Sequence, residues 1–406
     1  MNIKITPTSL SGTVAAIPSK SHMHRLLIAN ALSGIIKEEN FSDIVSADII
    51  ATKNCLQQLY SKNTLPILDC NESGSTLRFL LPVAAALCDE AIFGGRGRLP
   101  TRPLFPLKEE MEAHGCHFDF KIEGAICKIS GRLQCGIYTL PGNISSQFIT
   151  GLLFALPLLN GDSQIILTSK LESAGYVDLT LQVLEQYGIQ IEKTDHPFPA
   201  YYIPHGQQYR APANIETTAE GDWSNSAFWL AAEALNRQRN TASTTKSKVI
   251  CTGLDPTSTQ GDKEIINLLN LLAADTDYRE IDASDIPDLI PILSVVASTA
   301  KGITVVKNAA RLRLKESDRL KATADLLSGL GADIEELDAG LMIRGQQALA
   351  GGIANGYNDH RIVMSAAIAS AKCKEPVIIK GAEAVNKSYP HFFDEFVKLG
   401  GKIDVL

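Results

Sequence analysis

Several positively charged side chains stand at predicted helix starts, where they oppose helix stability. They are Lys20, His22, His24 and Arg25 before one helix, Arg78 just inside a second, and His360 and Arg361 before a third. The N-terminus of a helix carries partial positive charge, so a misplaced cation costs about 0.3–1 kcal/mol. A bound anion would instead be attracted by the free N–H groups, the dipole and the cations together. The pattern favours a site for a small polyanion over its alternative, a solvated surface patch.

One short segment combines such cations with a carboxylate. In the segment 315–319, the i, i+4 spacing brings Lys315 near Arg319, and the i, i+3 spacing brings Glu316 near Arg319. Signatures of other chemistries are absent from the sequence, which has no P-loop, no complete dinucleotide fingerprint and no G-x-S-x-G turn. We therefore expect chemistry that is carried by charged side chains, without a metal or a cofactor.

Six polar clusters, each followed at once by a helix of Leu, Ala and other compact residues, recur along the chain. The clusters begin at Ser19, Ser73, Ser145, Asp222, Asp288 and Asp359, which are 54 to 77 residues apart. Such a period indicates repeated supersecondary units, and the alternative is six ordinary capped helices. The β-branched runs between the clusters, such as 303–306 and 377–379, predict strands. The sequence thus predicts an α/β chain of six units.

The helices that follow the clusters are apolar nearly all round, so we expect them to be buried in the middle of each domain. Three units per domain would place the domain boundary before the fourth cluster, around residues 217–220. The polar stretch 237–247 is predicted to be a surface loop.

Composition limits the partners and the location. The chain has 406 residues, is 45% hydrophobic and carries a formal net charge of −7, which argues against nucleic acid or an anionic membrane as a partner. None of its eight cysteines lies in a C-x-x-C pair, so neither zinc nor disulfides are indicated. The N-terminus lacks a signal-peptide core, and the longest apolar stretch, 148–159, is too short to span a bilayer. We therefore expect a soluble cytoplasmic protein.

Ten motifs follow one another over essentially the whole chain. They are Lys20-Ser21-x-x-x-Arg25, Ser73-Gly74-Ser75-Thr76-Leu77-Arg78, Arg102-Pro103, Ser145-Ser146-Gln147, Ser173-x-x-Tyr176, Gly221-Asp222, Pro287-Asp288, Lys315-Glu316-Ser317-Asp318-Arg319, Asp359-His360-Arg361 and Lys387. In these motifs the chain resembles the 3-phosphoshikimate 1-carboxyvinyltransferase family, the 5-enolpyruvylshikimate-3-phosphate (EPSP) synthases of the shikimate pathway.

The resemblance implies an inside-out α/β barrel fold. Each of two domains would hold three βαβαββ repeats packed around buried parallel helices. Residues 18–218 would form an inserted domain, and residues 1–17 and 219–406 the other domain, completed by the N-terminal strand. The active site would lie in the cleft between the domains of a monomer.

The implied reaction transfers the enolpyruvyl group of phosphoenolpyruvate to the 5-hydroxyl of shikimate 3-phosphate and releases phosphate. The residues implied to bind shikimate 3-phosphate are Lys20, Ser21, Arg25, Ser145, Ser146, Gln147, Ser173, Tyr176, Asp288 and Lys315. Those implied to bind phosphoenolpyruvate are Lys20, Gly74, Arg102, Gln147, Arg319, Arg361 and Lys387. Glu316 would donate a proton to the methylene carbon, Asp288 would be the base for the hydroxyl, and Lys20 would stabilise the departing phosphate. Glyphosate is expected to compete with phosphoenolpyruvate.

Departures from the family pattern and rival interpretations remain. Glu72 and Arg311 stand where asparagine is common in the family, and His360 can be structural rather than catalytic. Glu316 can be a simple ion-pair partner of Arg319. The nearest rival is a UDP-N-acetylglucosamine enolpyruvyl transferase, but the loop 95–101 before Arg102 lacks the cysteine which that relative would place there. An RNA 3′-phosphate cyclase and a non-catalytic anion-binding scaffold are more distant rivals, and the acidic net charge disfavours the cyclase.

Overall fold

A computed structural model describes residues 1–36, 45–61, 65–213, 219–239 and 248–406. Its strands are β1 (Asn2–Thr6), β2 (Gly12–Ala15), β3 (Ile67–Asp69), β4 (Glu90–Gly94), β5 (His117–Asp119), β6 (Cys127–Ser130), β7 (Ile137–Leu140), β8 (Ser163–Leu167), β9 (Glu192–Thr194), β10 (Ala200–Ile203), β11 (Val249–Thr252), β12 (Tyr278–Asp282), β13 (Ile303–Lys307), β14 (Asp333–Leu337), β15 (Gly340–Arg344), β16 (Gly352–Asn355), β17 (Val377–Lys380) and β18 (Lys402–Val405).

Helices alternate with these strands along the chain. They are α1 (Lys20–Leu32), α2 (Ala47–Leu59), α3 (Gly74–Leu87), α4 (Leu107–Ala113), α5 (Ser146–Ala155), α6 (Ala174–Gln186), α7 (Trp223–Arg239), α8 (Ile265–Ala273), α9 (Ile290–Ala297), α10 (Arg319–Gly329), α11 (His360–Ala369) and α12 (Phe392–Lys398).

The chain divides into two compact units. Unit 1 comprises Met1–Ser19, Ile44–Ser46 and Glu220–Leu406, and unit 2 comprises Lys20–Asp43 and Ala47–Ala219. Each unit has its own continuous hydrophobic core.

One strand order recurs in four sheets of the described residues. In β3-β4-β6-β5 the first pair of strands is parallel and the next two pairs are antiparallel. The sheets β7-β8-β10-β9 and β12-β13-β15-β14 repeat this order and these directions. In β16-β17-β1-β18 the N-terminal strand β1 takes the place that belongs elsewhere to the last strand of the repeat, and Ile3 pairs with Ile379 and Val405. The predicted repeat is therefore visible as shared topology.

The remaining repeat of each unit has fewer strands among the described residues. In unit 1 it consists of α7 and α8 with the parallel pair β2 and β11. In unit 2 it is represented by α1 and α2, which pack against each other. Complete βαβαββ repeats are thus seen twice in each unit.

The helices that follow the polar clusters form the interior, as predicted. Every residue of α9 and α11 is buried, and α5 is buried except at Gln147. The strands instead expose alternate side chains, as in β7 and β12. A helix that is apolar on all sides is stable only when it is surrounded by protein, which explains why the sheets lie outside. The predicted α/β class with helices inside and sheets outside is confirmed.

Cluster residues begin these helices by capping them. The side chains of Ser73, Ser145 and Asp359 accept backbone N–H groups of α3, α5 and α11. Asp222 accepts the N–H of Asn225 in α7. Each cap satisfies a donor that has no partner within the helix, and such a cap stabilises a helix by about 1 kcal/mol.

One predicted loop is partly wrong. The stretch 237–247 was expected to lie entirely in a loop, but α7 continues through Arg239, and residues 240–247 lie outside the described residues. Arg and Gln propagate a helix well once it is anchored by a buried apolar stretch, such as the one before residue 236. Among the described residues, no helix is long and apolar enough to cross a membrane.

Candidate functional site

A buried guanidinium joins three carboxylates in unit 1. Arg319, the first residue of α10, is 1% exposed. It donates to Asp288 Oδ1 at 2.6 Å, to Glu316 Oε2 at 2.5 Å and to Asp359 Oδ2 at 2.8 Å. Burial alone would lower the pKa of Arg319, but the three carboxylates outweigh it and raise that pKa above its usual value. The predicted pair of Glu316 and Arg319 is present, although Glu316 precedes α10 and the contact is not made within a helix.

Asp288 is held by three cations. It precedes α9 without capping it, and its Oδ2 accepts Arg361 Nη2 at 3.2 Å. The Nζ of Lys315 lies 3.8 Å from Asp288 Oδ1, beyond hydrogen-bond distance. Burial raises the pKa of Asp288, but Arg361, Lys315 and Arg319 outweigh burial and hold that pKa well below its ordinary value. Asp288 is therefore ionised at neutral pH. We call Asp288, Lys315, Glu316, Arg319, Asp359 and Arg361 the Asp288 cluster.

The start of α11 completes the Asp288 cluster. Asp359 caps this helix, is fully buried and also accepts the hydroxyl of Ser317 at 2.9 Å. His360 is buried beside Asp359, with 3.9 Å between His360 Nδ1 and Asp359 Oδ1. Arg361 reaches the carbonyl oxygen of Ser224 at 3.4 Å as well as Asp288. The cluster thus contains three cations and three carboxylates, so it is neutral overall before any anion binds.

Lys315 and Lys387 differ in their surroundings. Lys315 has a quarter of its side chain exposed, and burial is the main reason why its pKa is lowered to about 8. Lys387 donates to the carbonyl oxygen of Asn358 at 2.6 Å, directly before the cap of α11. Lys387 is therefore near the same helix start as Asp359 and Arg361.

Unit 2 holds the other predicted site residues. Lys20, at the start of α1, pairs with Asp48 of α2, with 2.7 Å between Nζ and Oδ2. Arg25 is buried and donates to the carbonyl oxygens of Ser21 at 2.6 Å and Tyr176 at 2.7 Å. Burial lowers the pKa of Arg25 to about 9. Arg25 therefore fixes the backbone of two predicted shikimate 3-phosphate ligands.

The two histidines of α1 are not cations, which corrects the expectation from the sequence. Burial, reinforced by Arg25, lowers the pKa of His22 to about 4. Burial, reinforced by Lys20 and Arg25, holds the pKa of His24 well below its usual value, and His24 Nδ1 lies 2.8 Å from Thr52 Oγ1. Desolvation disfavours the charged imidazole, and sequence position alone does not reveal it.

Helices α3 and α5 share a polar contact at their starts. Gln147, two residues after the cap residue Ser145, accepts Arg78 Nη1 at 2.7 Å and donates to Ser75 Oγ at 2.9 Å. A Cβ on Gly151 would lie 2.4 Å from the carbonyl oxygen of Arg78. Glycine at this position therefore permits the close approach of α3 and α5 that brings Arg78 to Gln147.

Gly74 stands against Arg102. A Cβ on Gly74, the first residue of α3, would lie 2.5 Å from Arg102 Nη1. Arg102 is buried, so its guanidinium is held beside this helix start. The guanidinium of Arg102 thus occupies the space that a Cβ at Gly74 would need.

The remaining predicted residues lie around the helix starts of unit 2. Ser146 opens α5, and Ser173 precedes α6 with a φ of 59° in the left-handed region. In all, the structure places Lys20, Ser21, Gly74, Arg102, Ser145, Ser146, Gln147, Ser173 and Tyr176 with Arg25 in unit 2, and Asp288, Lys315, Glu316, Arg319, Arg361 and Lys387 in unit 1. Within unit 1 it joins five of the six in the Asp288 cluster.

Sequence reasoning missed two carboxylates at or beside these residues. Asp48 pairs with Lys20, and Asp262 accepts a hydrogen bond from Ser224 beside Arg361. Neither acid lies in one of the six polar clusters, although Asp48 is in the first turn of α2. A signal was present for Asp262, because it lies in the polar turn 258–264 directly before the apolar helix α8.

Comparison with known proteins gives one consistent result. The sequence model of the family described as EPSP synthase (3-phosphoshikimate 1-carboxyvinyltransferase) matches residues 40–396. A 3-phosphoshikimate 1-carboxyvinyltransferase of Clostridium novyi is 42% identical, with 99% of this chain and 98% of that protein covered. The one of Clostridioides difficile is 40% identical over the same shares of the two chains. A solved EPSP synthase from Acinetobacter baumannii has a similar fold, with a TM-score of 0.73, 23% identity and full coverage of both chains. The chain belongs to the EPSP synthase (3-phosphoshikimate 1-carboxyvinyltransferase) family.

Proposed function

We propose that this protein transfers the enolpyruvyl group of phosphoenolpyruvate to the 5-hydroxyl of shikimate 3-phosphate. Relatives of about 40% identity over nearly the whole chain are named for a carboxyvinyl transfer to 3-phosphoshikimate. The structural observation that carries the proposal is the Asp288 cluster, in which Asp288 and Glu316 both accept hydrogen bonds from Arg319. Two carboxylates beside three cations suit proton transfer on a substrate that is itself an anion.

We assign the proton transfers to Asp288 and Glu316. The oxygen of the 5-hydroxyl would attack the carbon of phosphoenolpyruvate that bears the phosphate, while Asp288 accepts the hydroxyl proton. Glu316 would protonate the neighbouring methylene carbon, which becomes a methyl group in a tetrahedral intermediate. The bond from carbon to the phosphate oxygen would then break, and its electrons would leave with phosphate. A proton would return from the methyl group to Glu316, and Asp288 would give its proton to the departing phosphate.

The anions of the substrates would control the basicity of Asp288. Before binding, Arg319, Arg361 and Lys315 hold the pKa of Asp288 low, which makes it a weak base. A phosphate or carboxylate that attracts these cations would weaken their hold on Asp288 and raise its proton affinity. In the same way Glu316 would lose its partner Arg319 and become easier to protonate. Substrate binding thus offers a physical route from a neutral ion-pair network to an active acid–base pair.

We further assign the residues that would bind each substrate. The shikimate 3-phosphate ligands would be Lys20, Ser21, Arg25, Ser145, Ser146, Gln147, Ser173, Tyr176, Asp288 and Lys315. The phosphoenolpyruvate ligands would be Lys20, Gly74, Arg102, Gln147, Arg319, Arg361 and Lys387. The burial of Arg25 and its bonds to the backbone of Ser21 and Tyr176 favour a positioning role for this arginine.

A phosphate-release assay tests the function. We expect release from phosphoenolpyruvate only when shikimate 3-phosphate is present, and UDP-N-acetylglucosamine should not replace it. Asp288→Asn and Glu316→Gln should each lower kcat by about 100-fold or more, because each removes a proton-transfer group.

The matched control is Glu335→Gln, an exposed carboxylate of β14 that lies 3.7 Å from Arg344. This variant should keep the kcat of the unmodified protein. Equal phosphate release with the UDP-sugar would contradict the proposed substrate, and an unchanged kcat in Asp288→Asn or Glu316→Gln would contradict the assigned roles.

A further inference from the structure

A buried turn outside the ten motifs fastens the start of α7. The side-chain amide of Gln260 donates to the carbonyl oxygen of Gly221 at 2.9 Å and accepts the N–H of Trp223 at 3.2 Å. Two residues on, Asp262 accepts the hydroxyl of Ser224 in a short hydrogen bond. Gln260 is 2% and Asp262 0% exposed. The turn therefore fixes the polar cluster that precedes α7.

A chain of contacts leads from Asp262 to the Asp288 cluster. The hydroxyl of Ser224 is bound to Asp262, and the carbonyl oxygen of Ser224 accepts Arg361 Nη1 at 3.4 Å. The other terminal nitrogen of Arg361 donates to Asp288 Oδ2 at 3.2 Å. Displacement of Ser224 would therefore move a group that orients Arg361 against Asp288.

Asp262 also acts through its charge. The charged groups that face it include Asp222 before α7, Asp288 before α9 and Arg361 of α11, and α8 has no charged residue. On its own turn, Lys263 donates to the carbonyl oxygen of Ser258 and Glu264 accepts from Asn267. Burial is the main reason why the pKa of Asp262 is raised to about 6, and Asp288 adds repulsion while Arg361 and the Ser224 hydroxyl oppose the shift.

We propose that Asp262 is a positioning residue for Asp288: it anchors Ser224, and through it Arg361, and its negative charge makes Asp288 a stronger base. This role rests on the proposed function. When Asp262 is ionised, its repulsion favours the protonated form of Asp288 and so raises the proton affinity of Asp288. When Asp262 is protonated, the repulsion is lost and Asp288 becomes a weaker base. Turnover should therefore fall as the pH drops through the pKa of Asp262.

Asp262→Asn is the first test, because an amide oxygen still accepts the Ser224 hydroxyl while the charge is lost. We expect kcat at pH 7.5 to fall roughly tenfold. Substrate phosphates also titrate near pH 6, so kcat is measured at saturation with both substrates from pH 5 to 8. In the unmodified protein, kcat should fall as the pH drops through about 6, and we call this fall the acid limb of the pH profile. The acid limb should be absent in Asp262→Asn. A limb caused by substrate phosphate, or a purely structural role of Asp262, would leave the limb in place and overturn the proposal.

Ser224→Ala provides a second test, in which the acid limb shifts instead of disappearing. This test remains available if Asp262→Asn does not fold. It removes the hydroxyl that stabilises ionised Asp262, so the acid limb should move to higher pH. An unmoved limb contradicts the proposal. The matched control is Asp255→Asn, an exposed acid that accepts hydrogen bonds from Thr257 in the preceding turn. Its kcat and pH profile should equal those of the unmodified protein.

A readout without turnover separates this inference from the proposed function. Carboxyl ¹³C NMR of the protein labelled at aspartate should show one resonance that titrates near pH 6 and disappears in Asp262→Asn. In Asp288→Asn the same resonance should titrate at lower pH, because the repulsion is removed. An unchanged titration would refute the coupling even if the enzyme is active. A shifted titration in a protein that releases no phosphate would refute the proposed function and leave the coupling intact.

Discussion

At the scale of single residues, key cations of the predicted site are paired with carboxylates before any anion binds. Arg319 shares three carboxylates, and Lys20 pairs with Asp48. A substrate anion must therefore compete with internal partners, and its binding energy is reduced by the ion pairs that it replaces. The same ion pairs orient the cations before the substrate arrives, which lowers the conformational entropy lost on binding.

Gly74 gives a prediction at this scale. In Gly74→Ala the new Cβ would lie 2.5 Å from Arg102 Nη1, so the guanidinium must move. A displacement of about 1 Å in a substrate-orienting group can cost up to roughly a hundredfold in rate. We expect the KM for phosphoenolpyruvate to rise at least tenfold, and the KM for shikimate 3-phosphate to change little, as measured by steady-state kinetics.

The control for this variant is Gly94→Ala. A Cβ on Gly94 would meet its nearest neighbour, the Cα of Asp69, at 3.7 Å, which is an ordinary contact. Gly94→Ala should therefore keep both KM values. A Gly74→Ala variant with an unchanged KM for phosphoenolpyruvate would show that Arg102 does not bind this substrate.

Sequence reasoning located cations better than it located their partners. The pair of Glu316 and Arg319 was expected from their closeness in sequence, and the structure contains it, although Glu316 lies before α10. The contact of Arg319 with Asp359 spans 40 residues and depends on how α10 packs beside α11, which no local pattern specifies. The same limit explains the histidines of α1, whose charge is decided by burial rather than by their position near a helix start.

At the scale of elements, the central helices approach one another closely enough to depend on single small residues. The contact of α3 with α5 is an example, because Gly151 faces the backbone of Arg78 and Phe79. Sequence periodicity predicted that both helices are buried, but not their separation, since the distance between two helices is set by side chains on both of them.

Gly151→Ala is therefore expected to destabilise the protein, although alanine favours a helix by up to about 1 kcal/mol over glycine. The added Cβ would lie 2.4 Å from a backbone carbonyl oxygen, which cannot move alone as a flexible side chain can. Overpacking of this kind costs about 1–3 kcal/mol, so we expect a net loss of stability and a lower melting temperature by circular dichroism. Gln186→Ala at an exposed position of α6 is the control and should melt like the unmodified protein. A higher melting temperature for Gly151→Ala would show that α3 and α5 separate without cost.

At the scale of the whole molecule, the six-fold repeat in the sequence predicted the buried helices and the α/β class. It did not predict which repeats lack strands among the described residues, because a polar cluster and a helix can be present without the strands that follow them. The repeat in unit 1 with only β2 and β11 is such a case. The position of β1 was likewise not evident from hydrophobic pattern, since strand pairing between the two ends of a chain leaves no local signal.

The pairing of β1 leads to a prediction about how the chain can be divided. Residues 20–219 contain the whole hydrophobic core of unit 2, so this fragment should fold alone. Residues 220–406 lack β1, whose side chains Ile3 and Ile5 are buried between β17 and β18. This second fragment should not unfold cooperatively in a thermal melt followed by circular dichroism.

Adding residues 1–19 to its C-terminus should restore the fold of the second fragment. The N–H of Leu406 donates to the carbonyl oxygen of Asn2 at 3.0 Å, so a short Gly/Ser linker from Leu406 to Met1 spans the gap. The permuted fragment would regain the sheet β16-β17-β1-β18 and bury Ile3 and Ile5 again. Since full burial of each isoleucine contributes about 1.5–3 kcal/mol, the difference between the two fragments should be large. If residues 220–406 melt as cooperatively without β1 as with it, the N-terminal strand is not needed to complete this core.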